Sequence, residues 1–438
     1  MTTFDQILPK AIEILERHKD RLSSVGPIII NRDLNGRVRL IVDAALHSND
    51  EAKLLLKNLT QELREALGPH GSPESSFVLF EENLDKVIGD DPVFSLKEIP
   101  SVKVIDRLTT EGTWSSLASS SPPPSCHRLV FYSVKGGVGR STALAVSAWT
   151  LAQAGKRVLV MDLDLESPGL SSAILPAVRQ SQFGIVDWLL EDLLNNTQPV
   201  FDDMVSKSDL SRDGDIFVVP AHGRNPGEYI SKLGRIFMPK LLEDGRREPW
   251  NCRLSRLVGQ LEQQWNPDVI LIDSRAGIDE IASGCVTGLE ASLVLLFASD
   301  STQTWTNYRI LFDHWGRMGL IERIREKLQV VGAMLPDTGT KEYFSGLREN
   351  ACNLFTQTMY DEVPPGEISG DRWNFEEFDE LAPHYPWAIR WHRGFSMLTS
   401  LHDRLEKIDR NEVDLVFKSL LDNIFSHISS PLTEPSNG

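Results

Sequence analysis

Two hydrophobic periods succeed one another along the chain. Near its start Phe4, Ile7, Leu8, Ala11, Ile12 and Leu15 recur at the three-to-four spacing that gives a helix one apolar face. Apolar residues at 28–30 and at Val38, Leu40 and Val42 then flank Asn35-Gly36, a dipeptide that tolerates the positive φ angles of a tight turn, and this predicts a β-hairpin. A second amphipathic helix is predicted over about 50–67 and a strand over 77–80. The order α-β-β-α-β describes a small α+β unit over residues 1–110, a sheet covered by helices.

The pattern breaks in TEGTWSSLASSSPPPSC, where Ser and Pro continue neither a helix nor a ladder, so a linker is expected at 111–126. After His127 short β-branched runs at 129–132, 158–162, 216–219, 269–273, 292–298 and 330–334 alternate with helical patterns. Such alternation predicts an α/β domain over 127–430, a doubly wound and mostly parallel sheet, followed by a flexible tail at 431–438.

Composition narrows the class. The chain is 41% hydrophobic and 24% charged, ordinary for a soluble globular protein, and no apolar run approaches the roughly 18 residues of a membrane helix. The opening MTTFDQILPKAIEILERHKD has no secretory pattern, so a cytoplasmic protein is expected. Cys126, Cys252, Cys285 and Cys352 form no Cys-x-x-Cys pair, which argues against zinc and against a disulfide framework. With 45 basic and 62 acidic residues the net charge of −17 disfavours DNA and anionic lipid.

The chemistry is concentrated after the first strand of the larger domain, where Lys135-Gly136-Gly137-Val138-Gly139-Arg140-Ser141-Thr142 precedes a helical run. Strand, glycine loop and helix come in the order that phosphate binding requires: glycines let the backbone wrap closely, and the helix N-terminus adds a positive dipole end. Ser141 would ligate magnesium and Thr142 lie near the α-phosphate. Relative to the common G-x-x-x-x-G-K-S/T loop, Val134 replaces the first Gly and Arg140 the usual Lys. Arginine is a planar fork and lysine a point charge, so the exchange is not neutral. Two further strand ends carry carboxylates. One is Asp162-Leu163-Asp164 at the start of DLDLESPGL; the other is Asp273, followed by Ser274-Arg275-Ala276-Gly277. A carboxylate at Asp273 can hold magnesium through water, and the Gly277 amide can approach a γ-phosphate. Arg275 is open between pairing with Asp164 or Glu280, stabilising phosphate, and projecting into solvent.

KGGVGRST resembles the deviant Walker A loop, KGGxGKS/T, of the ParA/MinD family of P-loop ATPases, and the segments at Asp162 and Asp273 resemble that family's first switch and its Walker B with second switch. The resemblance implies ATP and Mg2+ as cofactors. It implies that Lys135 reaches the partner's phosphates across an ATP-bound homodimer, that Asp164 orients the attacking water, and that Asp162 contacts magnesium-bound water. The family's adenine-reading Asn has no counterpart in Val330-Val331-Gly332-Ala333-Met334-Leu335-Pro336-Asp337, so adenine is implied by the family alone. The cluster 382–387, Ala-Pro-His-Tyr-Pro-Trp, is open between stacking on a base and packing in the core or an interface.

Two functions of different class follow. One is an ATP-hydrolysing, magnesium-dependent switch, favoured by Asp164 and Asp273. The other is a nucleotide-binding regulator with little hydrolysis, favoured by Arg140 and the missing Asn. A protein partner engaged through residues 1–110 is expected. DNA is disfavoured by the charge, and membrane is excluded as a target because the last helix, NEVDLVFKSLLDNIFSH, lacks a basic face. KGGVGR followed by DLDLE-x-PGL also resembles a bacterial variant group, which implies a role in a conflict or defence system.

Overall fold

In the computed structural model, residues 2–89, 93–97, 99–108, 113–115, 123–210, 213–364, 372–396 and 401–432 are described. The chain divides into two compact units, Met1–Ser116 with Arg317–Gly319, and Leu117–Gly316 with Leu320–Gly438. Most of the expected linker, at 111–112 and 116–122, lies outside the described residues, as does the tail from 433 on.

The first unit holds five strands, β1 (Ile28–Arg32), β2 (Val38–Asp43), β3 (Val78–Glu81), β4 (Val93–Ser95) and β5 (Val102–Asp106), in the order β3-β2-β1-β5-β4. The hairpin forms as expected, with Ile30 opposite Leu40 and Gly36 at a φ of 74° in the turn. The Asp33 carboxylate holds that turn by accepting from the amides of Asn35 and Arg37. Helices Ile7–Arg17 and Asp50–Leu67 lay Ile7, Ala11, Leu15, Leu55, Leu59 and Leu63 against Ile28, Ile30, Val38 and Leu40. Each fully buried side chain of this kind contributes about 1.5–3 kcal/mol. β4 and β5 are not foreseen in the sequence reading; β5 nevertheless lies inside the sheet, parallel to β1.

The second unit contains β6 (His127–Ser133), β7 (Arg157–Asp162), β8 (Ser206–Lys207), β9 (Asp215–Val219), the ribbon β10 (Lys240–Leu241) and β11 (Arg247–Glu248), β12 (Val269–Ala276), β13 (Leu293–Ala298), β14 (Leu328–Leu335) and β15 (Trp387–Arg390). Eight of them form one sheet in the order β15-β14-β13-β6-β12-β7-β9-β8, parallel throughout except for β8. All six strands predicted here are present. β6 and β13 are buried along their whole length, as strands covered on both faces must be, which is why they read as unbroken apolar runs. Helices Arg140–Gln153 and Arg410–Ser429 cover one face through Leu144, Ala148, Leu151, Phe417, Leu420 and Ile424. The last helix is thus a core element, and no helix among the described residues is long and apolar enough to cross a membrane.

A buried charge cluster fixes the segment between β9 and β12. The Asp192 carboxylate, 1% exposed, accepts from Lys240 at 2.8 Å, from Arg253 at 2.8 Å and from Arg256 at 2.9 Å. Arg253 in turn donates to the carbonyls of Ile236 and Met238. Burial raises the Asp192 pKa, but hydrogen bonds from Arg256, Lys240 and Arg253 outweigh it and hold the group below its ordinary value. Truncating one member of such a cluster leaves buried charge unpaired, so Asp192→Ala is expected to lower unfolding free energy by about 3–5 kcal/mol in urea denaturation. A loss under about 1 kcal/mol would show that the cluster is solvated.

Candidate nucleotide site

β6 runs through the middle of the sheet between β12 and β13 and delivers the glycine loop at its C-terminal end, where open parallel sheets place their ligands. Gly137 and Gly139 both have a φ of 77°, a backbone region that side chains disfavour, so the wrap of the loop requires glycine there. Val138 is buried in the core and anchors the loop, while Lys135, Gly136, Gly137 and Gly139 are exposed. Gly139 caps the helix Arg140–Gln153, whose first turn carries no acidic residue. Its free amides and the half-buried Ser141 and Thr142 face the loop end with the dipole unopposed.

Strand register sets the carboxylates beside this loop. Asp273 on β12 lies opposite Asp162 on β7 and Phe131 on β6, so two acids stand side by side at neighbouring strand ends. Asp162 is fully buried; one oxygen accepts from the Ser171 amide at 3.2 Å and the other, Oδ1, has no partner. Burial, then the charges of Asp273 and Asp164, push its pKa up to about 7.

Arg140 turns into this acidic corner. Nε donates to Asp273 Oδ1 at 2.7 Å, Nη1 to Ser133 Oγ at 3.1 Å and Nη2 to Asp164 Oδ2 at 3.2 Å. The side chain is 7% exposed and that of Asp273 is 1% exposed. Burial opposes the guanidinium charge, but Asp273 and Asp164 together hold its pKa above the ordinary value. Asp164 is raised by burial despite Arg140.

The remaining predicted residues are placed as follows. Arg275 pairs with Glu166 at 2.6 Å and Asp279 at 3.0 Å, so its partners are neither of the acids considered from the sequence; β12 carries it past Asp273 toward the loop after β7. The Gly277 amide donates to the Ser133 carbonyl at 2.9 Å, and its own carbonyl accepts from Tyr132. In the cluster 382–387, Pro383, His384 and Pro386 are buried. Val330 and Gln329 of β14 donate to the Pro383 and Tyr385 carbonyls, so the cluster guides the chain into β15. Sequence reasoning missed Ser133, Ser171 and Tyr229, whose hydroxyl donates to the Leu165 carbonyl at 2.6 Å.

A phosphate chain fits this place: the loop is open, its glycines are wound as required, and a helix N-terminus faces it. A divalent ion here would meet a fixed positive charge, since Asp273 Oδ1 and Asp164 Oδ2 each accept from the Arg140 guanidinium. Among the described residues no three His, Cys, Asp or Glu side chains are grouped so as to hold a metal ion. Of the expected set of Ser141, Asp162 and Asp273, the two acids stand level on neighbouring strands and Ser141 lies in the first turn of the helix after the loop.

A parallel sheet with a glycine loop and two strand-end acids defines a phosphate-loop nucleotide-binding protein. The sequence over residues 129–364 matches the model of the CobQ/CobB/MinD/ParA nucleotide binding domain, and the chain belongs to that family. Among solved structures it is similar to a ParA family ATPase from Chlorobium tepidum TLS, at 16% identity over 69% of this chain and 99% of that one, with a TM-score of 0.42. It is similar to the MinC:MinD cell division protein complex of Aquifex aeolicus, at 18% identity over 72% and 100%, with a TM-score of 0.41. It is also similar to a Cyanothece McdA variant in complex with ATP, at 16% identity over 71% and 100%, with a TM-score of 0.42. No curated protein matches. Family membership rests on the domain match.

The guanidinium bond is open to a thermodynamic check. Arg140→Ala and Asp273→Ala each leave a buried charge unpaired, so each is expected to destabilise by about 3–5 kcal/mol. The double variant should fall short of the sum by at least about 1 kcal/mol in a urea-denaturation cycle. Additivity within about 0.5 kcal/mol would mean that the two side chains do not interact.

Proposed function

We propose that the chain is an ATP-binding molecular switch that works as a nucleotide-gated regulator, with hydrolysis held low by Arg140. The observation that carries this reading is the triple engagement of the guanidinium with Asp273, Ser133 and Asp164. Hydrolysis by a phosphate-loop protein depends on positioned charge and an oriented water. Asp164 already accepts from Arg140 at Oδ2 and from the Ser167 amide at Oδ1, which sets it in a direction other than that of an attacking water.

The residues divide the remaining work. Amides of Gly136, Gly137, Val138 and Gly139 and the hydroxyls of Ser141 and Thr142 bind the phosphate chain. Lys135, exposed at the start of the loop, reaches phosphates bound to a second copy, so that nucleotide closes a homodimer. Asp162 and Gly277 stand on the two segments that respond to the phosphate chain. Residues 1–110 serve as the adaptor for a protein partner, consistent with a net charge of −17 that repels DNA. The chain works in the cytoplasm, and the DLDLE-x-PGL resemblance supports a bacterial conflict or defence system as its setting. A second reading, a magnesium-dependent ATPase switch, is supported by the presence of both Asp164 and Asp273 at the strand ends.

ATP binding and turnover separate the readings. Wild-type protein is expected to bind ATP with turnover near background, and Arg140→Lys to raise turnover at least about tenfold, the effect of roughly 1.4 kcal/mol on the barrier. Wild-type turnover that Lys135→Ala and Asp164→Ala both abolish would establish the ATPase reading instead. If no nucleotide binds, both readings fail.

A further inference from the structure

The corner between Asp273 and Asp164, where a nucleotide site would bring its divalent ion, holds a guanidinium. We infer that this chain binds its nucleotide as the metal-free phosphate chain, with Arg140 as the standing counter-charge of the two acids. The inference rests on the nucleotide reading above and names the ionic form of ligand that the site takes.

All three guanidinium nitrogens are committed inward, to Asp273, Ser133 and Asp164. A lysine there would place one charge on one atom and could share it with a phosphate; the arginine fork is held by all three of its nitrogens at once. For an ion to take the carboxylate oxygens that Arg140 holds, the guanidinium must leave a place where it is 7% exposed, next to a carboxylate that is 1% exposed. Separating a buried pair of this kind is strongly unfavourable, because it strands the partner's charge. Magnesium, which gives up its own waters reluctantly and takes only one or two protein carboxylates, is a weak competitor for such a place. Asp162 Oδ1, a buried acceptor with no partner among the described residues, is enclosed. Arg275 supplies no substitute cation, since Glu166 and Asp279 hold it. The phosphate charge is met instead by Lys135, which makes no ion pair among the described residues, and by the loop amides with the helix N-terminus behind them.

The test is titration of the full chain with ATP in EDTA and again in excess magnesium, followed by calorimetry. Wild-type dissociation constants are expected to agree within about threefold. Arg140→Lys, whose point charge releases at least one acid, is expected to bind at least about tenfold more tightly with magnesium than without. Wild-type binding that requires magnesium overturns the inference and leaves the nucleotide reading standing. Binding in neither condition overturns that reading and the inference with it. Arg140→Lys that ignores magnesium as wild type does overturns the assignment to Arg140. If this variant does not fold, the wild-type comparison alone decides the metal-free form.

Discussion

The bond from Arg140 to Asp273 and Asp164 is the constraint around which the site is arranged. It ties the first residue of the helix after the phosphate loop to the end of β12 and to the segment after β7, three stretches remote in sequence. The parallel register makes it possible, by setting Asp273 level with Asp162 and with Phe131 just before the loop. The guanidinium pairs with Asp273 and Asp164, and Lys135 stays exposed at the start of the loop.

Buried charge elsewhere in the same unit shows the contrast between structural and functional use. Around Asp192 three cations serve one carboxylate, Glu248 takes a further bond from Arg256, and the carbonyls of Ile236, Met238 and Leu189 take up the spare donors of Arg253. Around Arg140 one cation serves two carboxylates, a third acid stands beside them, and one of its oxygens has no partner. A satisfied network rigidifies a fold, whereas an under-compensated one is a place where an anion or a proton changes the balance.

Much of this fold was legible in the sequence because it rests on local rules. The Asn35-Gly36 hairpin follows from a turn that needs positive φ, and the six parallel strands follow from apolar runs that are buried on both faces. The loop was legible from glycine spacing, and Asp162, Asp164 and Asp273 from their place at strand ends. β5 escaped because a strand of five residues within a polar stretch has no period long enough to read; β8 and β15 escaped because edge strands of two and four residues carry almost no pattern. The partners of Arg140 and Arg275 were not legible at all. They depend on crossovers that bring residues 133, 164 and 273 together, and side-chain direction at such a meeting is a property of packing. The same holds for Tyr229, whose hydroxyl reaches Leu165 from a helix more than sixty positions away with no repeating signal to announce it.

The central claim, that Arg140 belongs to the acids and leaves the phosphates to the loop, is tested most directly by a crystal structure grown with ATP and magnesium. The account predicts a phosphate chain on the amides of Gly136 to Gly139, with the Arg140 guanidinium still within hydrogen-bond reach of Asp273 and Asp164. A guanidinium swung onto the phosphates, with a metal ion in its place at Asp273, would contradict it.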